Sequence, residues 1–168
     1  MDFDLDIYGE INEQTVEYVA DKFRENYSKG CTITVSIDSY GGYIDAAYAI
    51  AEILSAAVED GSSVLTMNSG NVMSAATVVF LMGNARVFDP DAGDFVIHQP
   101  YTSIEGNSTD LIETAISLYQ TENSLVDLYS QFSDTPKDEI VRIMSEDREL
   151  TPEEIKSLGF AVILDKED

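Results

Sequence analysis

Between 32 and 37 apolar and polar residues alternate, with Ile33, Val35 and Ile37 on one side, and that period of two predicts a half-buried strand. Before it, Ile7-Tyr8-Gly9 reads as the end of a short strand and Asn12 as the cap of a helix. Val16, Val19, Ala20, Phe23 and Tyr27 then share one helical face. A break at Asp38-Ser39-Tyr40-Gly41-Gly42 leads into a second helix with Ile44, Ala47, Tyr48, Ala51, Leu54 and Val58 inward. A strand over 64–67, a turn at Asn68-Ser69-Gly70 and an apolar helix over 74–82 follow, the last closed by Gly83. Short strands at 86–88 and 95–97 flank an Asp/Pro/Gly turn. Strands and helices alternating in this way predict one α/β domain with short crossovers.

From about 109 to 132 the pattern changes. Leu111, Ile112, Ala115, Ile116, Leu118, Tyr119, Leu125, Val126, Leu128, Tyr129 and Phe132 cover most of the circumference of a helix, which must bury more than one face. In so small a domain the expected cover is a partner subunit; the alternative is the central helix of a monomer. Two short helices finish the chain, each opening on Thr-Pro (Thr135-Pro136 and Thr151-Pro152), a cap followed by proline at the first helical position. Thr151 to Glu154 also fits a capping box.

The 168 residues suffice for one domain with a proper core, and a 44% hydrophobic content is that of a globular protein. Charge narrows the partners. Nine Lys+Arg against 32 Asp+Glu give a formal net of -23, which repels nucleic-acid phosphate and anionic membrane and reads as a strongly solvated surface, suited to salty surroundings. The acidic start MDFDLDIYGE lacks the basic and apolar regions of a secretory signal, and no run approaches the ~20 apolar residues of a membrane span. Cys31 is the only cysteine, so no internal disulfide forms and a cytoplasmic location is expected. One Cys and one His also argue against a zinc site. Carboxylates stop at Asp60 and resume at Asp89, and the only charge between them is Arg86. Residues 61–88 should therefore be the buried heart of the domain.

Ser74 lies near the middle of that stretch, after a glycine-containing turn and at the start of an apolar helix. A hydroxyl there sits beside unpaired backbone N–H groups, the features that stabilise an oxyanion in acyl transfer. His98, the single imidazole, follows the apolar run Phe95-Val96-Ile97 and offers a base near neutral pH. Gly41-Gly42 lacks the Lys-Ser/Thr of a phosphate loop, and the loop from Asp89 to Asp94 lacks the downstream Glu of a calcium loop, so it reads as a solvated turn.

Five segments in combination, Ile7-Tyr8-Gly9-Glu10-Ile11, Ile37-Asp38-Ser39-Tyr40-Gly41-Gly42, Gly70-Asn71-Val72-Met73-Ser74, Ile97-His98-Gln99-Pro100 and Gly106-Asn107-Ser108-Thr109-Asp110, closely resemble the Clp peptidase family, ClpP. The resemblance spans nearly the whole chain. It implies a ClpP/crotonase-like spiral of ββα units, with a head (about 1–100 and 145–168) and a protruding handle (about 101–144). It also implies an ATP-dependent type of serine endopeptidase that degrades unfolded polypeptides in an oligomeric chamber. Ser74 would be the nucleophile and His98 the base. Glu146-Asp147-Arg148-Glu149-Leu150-Thr151 matches the family's third element, which makes Asp147 the orienting carboxylate with Asp165 in reserve. The backbone N–H groups of Gly41 and Ala75 would form the oxyanion hole, and Tyr40 and Gly42 would line the substrate groove.

By the same resemblance the chain needs no cofactor, forms heptameric rings stacked as a tetradecamer, and takes an AAA+ unfoldase as a possible partner. Tyr40 stands where the family usually has proline and Ala75 where methionine is common, which bears on cleavage preference. The family's N-terminal axial-loop segment, which helps engage the unfoldase, is expected to be missing, and its Gly-Leu-Val-Asp reads Gly159-Phe160-Ala161-Val162. Rival readings are a non-catalytic or regulatory ring subunit co-assembling with a host Clp peptidase, a phage head-maturation peptidase, and a crotonase-type acyl-CoA enzyme.

Overall fold

The computed structural model describes residues 2–164. Three long strands, β1 (Phe3–Ile11), β2 (Thr32–Gly42) and β3 (Ser63–Met73), run parallel and alternate with α1 (Glu13–Asn26), α2 (Ile44–Glu59) and α3 (Ala75–Leu81). β4 (Ala85–Phe88) and β6 (Val162–Ile163) extend the sheet in the order β1-β2-β3-β4-β6, and β5 (Phe95–Val96) pairs with β3. Helices α4 (Ser108–Ser133), α5 (Lys137–Glu146) and α6 (Pro152–Ser157) complete the chain.

The long strands correct the sequence reading. Segments 38–42 and 68–70, expected as a break and a turn, are bends within continuous strands. The register shifts between Tyr8 and Glu10 in β1 and between Ile37 and Ser39 in β2. On β3, residues 65–67 pair with β4, whereas Val72 and Met73 pair with β5. Each long strand thus enters one layer with its first half and a second, shorter layer with its last residues. That is the ββα unit, with a bulge in place of a turn. Glycine reads as a breaker in sequence, but at the bend it allows close approach. A Cβ on Gly70 would lie 2.1 Å from the Asp38 carboxylate, whose Oδ1 accepts the Asn71 N–H at 2.9 Å.

The alternating residues Leu5, Ile7, Ile33, Val35, Ile37 and Val64 form the core with one face of α2. All seven residues of α3 are buried, as the carboxylate-free stretch predicts. Arg86, its sole charge, donates from Nε to the Phe160 carbonyl (2.7 Å) and from Nη1 to the Gly83 carbonyl (3.0 Å), tying the C-terminal segment to the sheet.

Helix caps follow local chemistry. Asn12 and Asn107 open α1 and α4 with capping boxes, and Thr151 does the same for α6 with Pro152 at its first position. The expected cap at Thr135 is not used: α5 starts one residue later, with Pro136 at its cap and no side-chain bond. Thr135 instead donates its hydroxyl to the Ser133 carbonyl at 3.3 Å. On α4 only Leu125, Val126 and Tyr129 are buried, while Leu111, Ile112, Ile116 and Tyr119 are exposed, Tyr119 to 65%. The central-helix alternative therefore does not describe it. No helix among the described residues is long and apolar enough to cross a membrane.

Phe95 is fully buried, with ring centroids of Phe80, Phe88 and Phe160 at 5.5, 5.6 and 5.8 Å. Phe95→Ala is expected to cost about 3–5 kcal/mol of stability, read as a lower urea midpoint; an unchanged midpoint would show that the layers do not depend on this cluster.

Candidate active site

β3 ends at Met73 and α3 begins at Ala75, so Ser74 alone makes the turn, at φ 55° and ψ -127°. A β-carbon makes that conformation costly, and it persists because its neighbours impose it. Ser74 N–H donates to the Val96 carbonyl (2.9 Å), and its own carbonyl accepts from Thr77 N–H (3.0 Å) and Thr77 Oγ1 (2.6 Å). Gly41, at φ 102°, closes the other side. A Cβ there would lie 2.6 Å from Ser74 Cβ and 2.9 Å from the Met73 carbonyl, so only glycine fits without a shift.

His98 follows β5 and Ile97, its ring 5.7 Å from that of Tyr101. Ser74 and His98 line one cavity of about 430 Å³ together with Ala75, Gly42 and Tyr40. Among the described residues no hydrogen bond joins Ser74 to His98; such contacts often tighten only when substrate binds. Asp147 stands just past α5 in the left-handed conformation, at φ 46°, with Oδ1 3.5 Å from His98 Nδ1. Side-chain exposure differs sharply across this pair, 17% for the imidazole and 76% for the carboxylate. Asp165, the reserve carboxylate, lies outside the described residues.

The loop carrying Asp147 is tied to the strand that delivers His98. Leu150 N–H donates to the Phe95 carbonyl at 2.9 Å, and Val96 bridges Glu149. Arg148 braces the same loop. It donates from Nε to Glu146 (2.8 Å) and in bidentate fashion to Glu154 (2.8 and 2.6 Å), which also accepts Thr151 N–H at 2.8 Å.

The expected oxyanion donors fare differently. Ala75 lines the cavity, whereas the Gly41 N–H is donated to Ser39 Oγ at 3.0 Å. Sequence reasoning missed Tyr43, Tyr101, Leu118 and Tyr129, which also line the cavity. Tyr129 was visible only as one more apolar position on a helix, and nothing local says that it reaches Thr77 across the fold.

A sequence model of the family described as Clp protease matches residues 2–166. The chain belongs to the Clp protease family. It is 27% identical over 155 residues to the ATP-dependent Clp protease proteolytic subunit 2 of Treponema denticola, covering 90% of this chain and 76% of that one. Proteolytic subunit 1 of Chlamydia caviae is 27% identical over 133 residues, covering 78% and 69%. The proteolytic subunit of Deinococcus radiodurans is 30% identical over 99 residues, 58% of this chain and about half (48%) of that one. A solved ClpP1 mutant from Listeria monocytogenes shares the fold with a TM-score of 0.82 at 23% identity, over 97% of this chain and 91% of that one. Membership makes the chain a serine protease of the Clp type with a ClpP fold.

The Glu154 carboxyl is held down to about 2, chiefly by the Arg148 hydrogen bond and then by Thr151 N–H. A depressed carboxyl contributes stability above its unfolded value, near 4.3, and loses it as pH falls through the folded value. Thermal melts of wild type and Glu154→Gln should therefore differ at pH 6 and converge toward pH 2; curves that stay parallel would mean the pair contributes nothing to the pH dependence.

Proposed function

We propose that the chain is an endopeptidase that cleaves unfolded polypeptide through Ser74, His98 and Asp147 as a subunit of a closed oligomer. The observation that carries this is convergence: Ser74 from the end of β3 and His98 from the segment after β5 line one cavity, and Asp147 from the end of α5 stands 3.5 Å from His98 Nδ1. With Nδ1 turned to Asp147, Nε2 is left to accept the Ser74 proton as Oγ attacks the scissile carbonyl. The imidazolium, stabilised by Asp147, then passes that proton to the leaving amine. Water, deprotonated by His98, releases the acyl group and returns Ser74.

Ala75 N–H supplies one oxyanion donor at the start of α3. Gly41 supplies the second once its amide is released from Ser39, and Gly42 lines the substrate groove beside it. An extended substrate pairs along the glycine segment like an added strand. Ile44, Leu118 and Leu125 offer an apolar side chain a place beside the scissile bond. The exposed apolar ridge of α4 supports the assembly reading, with α4 as the handle packed on a second copy. Heptameric rings stacked in pairs, an AAA+ unfoldase as partner and a cytoplasmic location complete the proposal; the relatives' names, with their ATP-dependent proteolytic subunits, are consistent with it.

A fluorophosphonate probe should label wild type and not Ser74→Ala. Casein and peptide cleavage should fall below detection in Ser74→Ala and by roughly 10³–10⁴-fold in Asp147→Asn. A wild type that neither labels nor cleaves would favour the non-catalytic ring subunit instead.

Each copy carries -23 formal charges, so repulsion opposes assembly and salt relieves it. Sedimentation velocity should show a larger oligomeric fraction at 1 M than at 50 mM NaCl. A monomer at micromolar concentration in both would sink the assembly reading.

A further inference from the structure

The phenol of Tyr129 is buried at the inner end of α4, and the catalytic steps above make no use of it. Its hydroxyl lies 2.7 Å from Thr77 Oγ1, which lies 2.6 Å from the Ser74 carbonyl oxygen. Thr77 is itself fully buried. A threonine hydroxyl has one proton, and here it goes to the Ser74 carbonyl; the Thr77 oxygen must therefore accept from Tyr129. The three groups form a directed chain from α4 through α3 to the nucleophile turn.

The carbonyl at its end belongs to the peptide between Ser74 and Ala75. In a planar trans peptide the C=O and the N–H point in opposite directions. Whatever fixes the Ser74 carbonyl toward Thr77 therefore fixes the Ala75 N–H toward the opposite side, where Ala75 lines the cavity. Thr77 N–H, also on that carbonyl at 3.0 Å, would hold it in any helical turn. The hydroxyl chain adds a second and shorter tether at a residue whose own φ of 55° favours relaxation.

We propose that Thr77 and Tyr129 are positioning residues, which hold the Ser74–Ala75 peptide so that its N–H meets the developing oxyanion. This rests on the reading of Ser74 as the nucleophile and Ala75 as an oxyanion donor. Because the bond is made to a preformed peptide and not to the substrate, its loss should slow the chemical step and leave substrate binding nearly unchanged. Burial raises the Tyr129 phenol above its ordinary value, so it remains a donor throughout the working pH range.

The test compares Thr77→Val, Thr77→Ser, Tyr129→Phe and the Thr77→Val/Tyr129→Phe pair in fluorophosphonate acylation and peptide cleavage. Sedimentation of every variant separates a change in assembly from a change in chemistry. Thr77→Val and Tyr129→Phe are each expected to lower kcat and the acylation rate by roughly tenfold with KM within about twofold. Thr77→Ser should keep most of the rate, and the pair should be no slower than Thr77→Val alone, since Tyr129 acts through Thr77. Wild-type rates in Tyr129→Phe, losses confined to KM, or losses that multiply in the pair would each overturn the proposal. If Thr77→Val does not fold, Tyr129→Phe against wild type decides it. Ser74→Ala in the same assay tests the underlying reading separately: cleavage that survives it refutes Ser74 as nucleophile, whatever the Thr77 and Tyr129 variants do.

Discussion

A serine at positive φ, wedged between a strand and a buried helix, is the constraint on which this site depends. The turn could relax by extending β3 or by fraying α3, and the fold blocks both. Val96 holds the Ser74 N–H from β5, Gly41 leaves no room on the β2 side, and Thr77 captures the carbonyl from within α3. The first of these restraints depends in turn on the displaced end of β3, since it is Val72 and Met73 that pair with β5. The short second layer of the sheet is what turns a parallel α/β core into a platform for a hydroxyl.

The remaining groups are secured by longer-range ties. His98 is carried by a strand only two residues long, which is steadied by Ser74 on one side and by the 149–150 segment on the other. Asp147 has little cover of its own. Its placement comes from the residues around it, with Leu150 inserted in the core and Arg148 spanning two acidic partners. An exposed ion pair is worth little by itself, but a bidentate brace across a tight loop restricts where the neighbouring carboxylate can go.

Local chemistry carries its signal in adjacent residues, and those parts of the fold were legible in the sequence. The caps at Asn12 and Thr151, the alternation of Ile33, Val35 and Ile37 and the buried run after Ser74 all read directly. The strand ends did not, because Gly41, Gly42 and Gly70 carry the composition of turns while serving as points of close approach. Thr135 was misread for a related reason: its neighbour Ser133 lets it bond backward along the chain in place of capping forward. Ser74 and His98 could be picked out because each stands in a distinctive setting. Asp147 is one of 32 acidic residues, and its relation to His98 exists only in the folded chain. Thr77 and Tyr129, far apart in sequence, carry no local mark of their contact.

The complete burial of α3 has an evolutionary consequence. Drift in the residues behind Ser74 is checked by the core itself, since nearly any change there alters packing before it can alter chemistry. The walls of the cavity are under no such restraint: Tyr40, Tyr43 and Tyr101 stand largely in solvent on segments outside the helical core. Selection can therefore exchange those aromatic side chains at little cost to the fold, so under the proposed function the preference for one peptide over another can diverge between lineages while the surroundings of Ser74 are inherited intact.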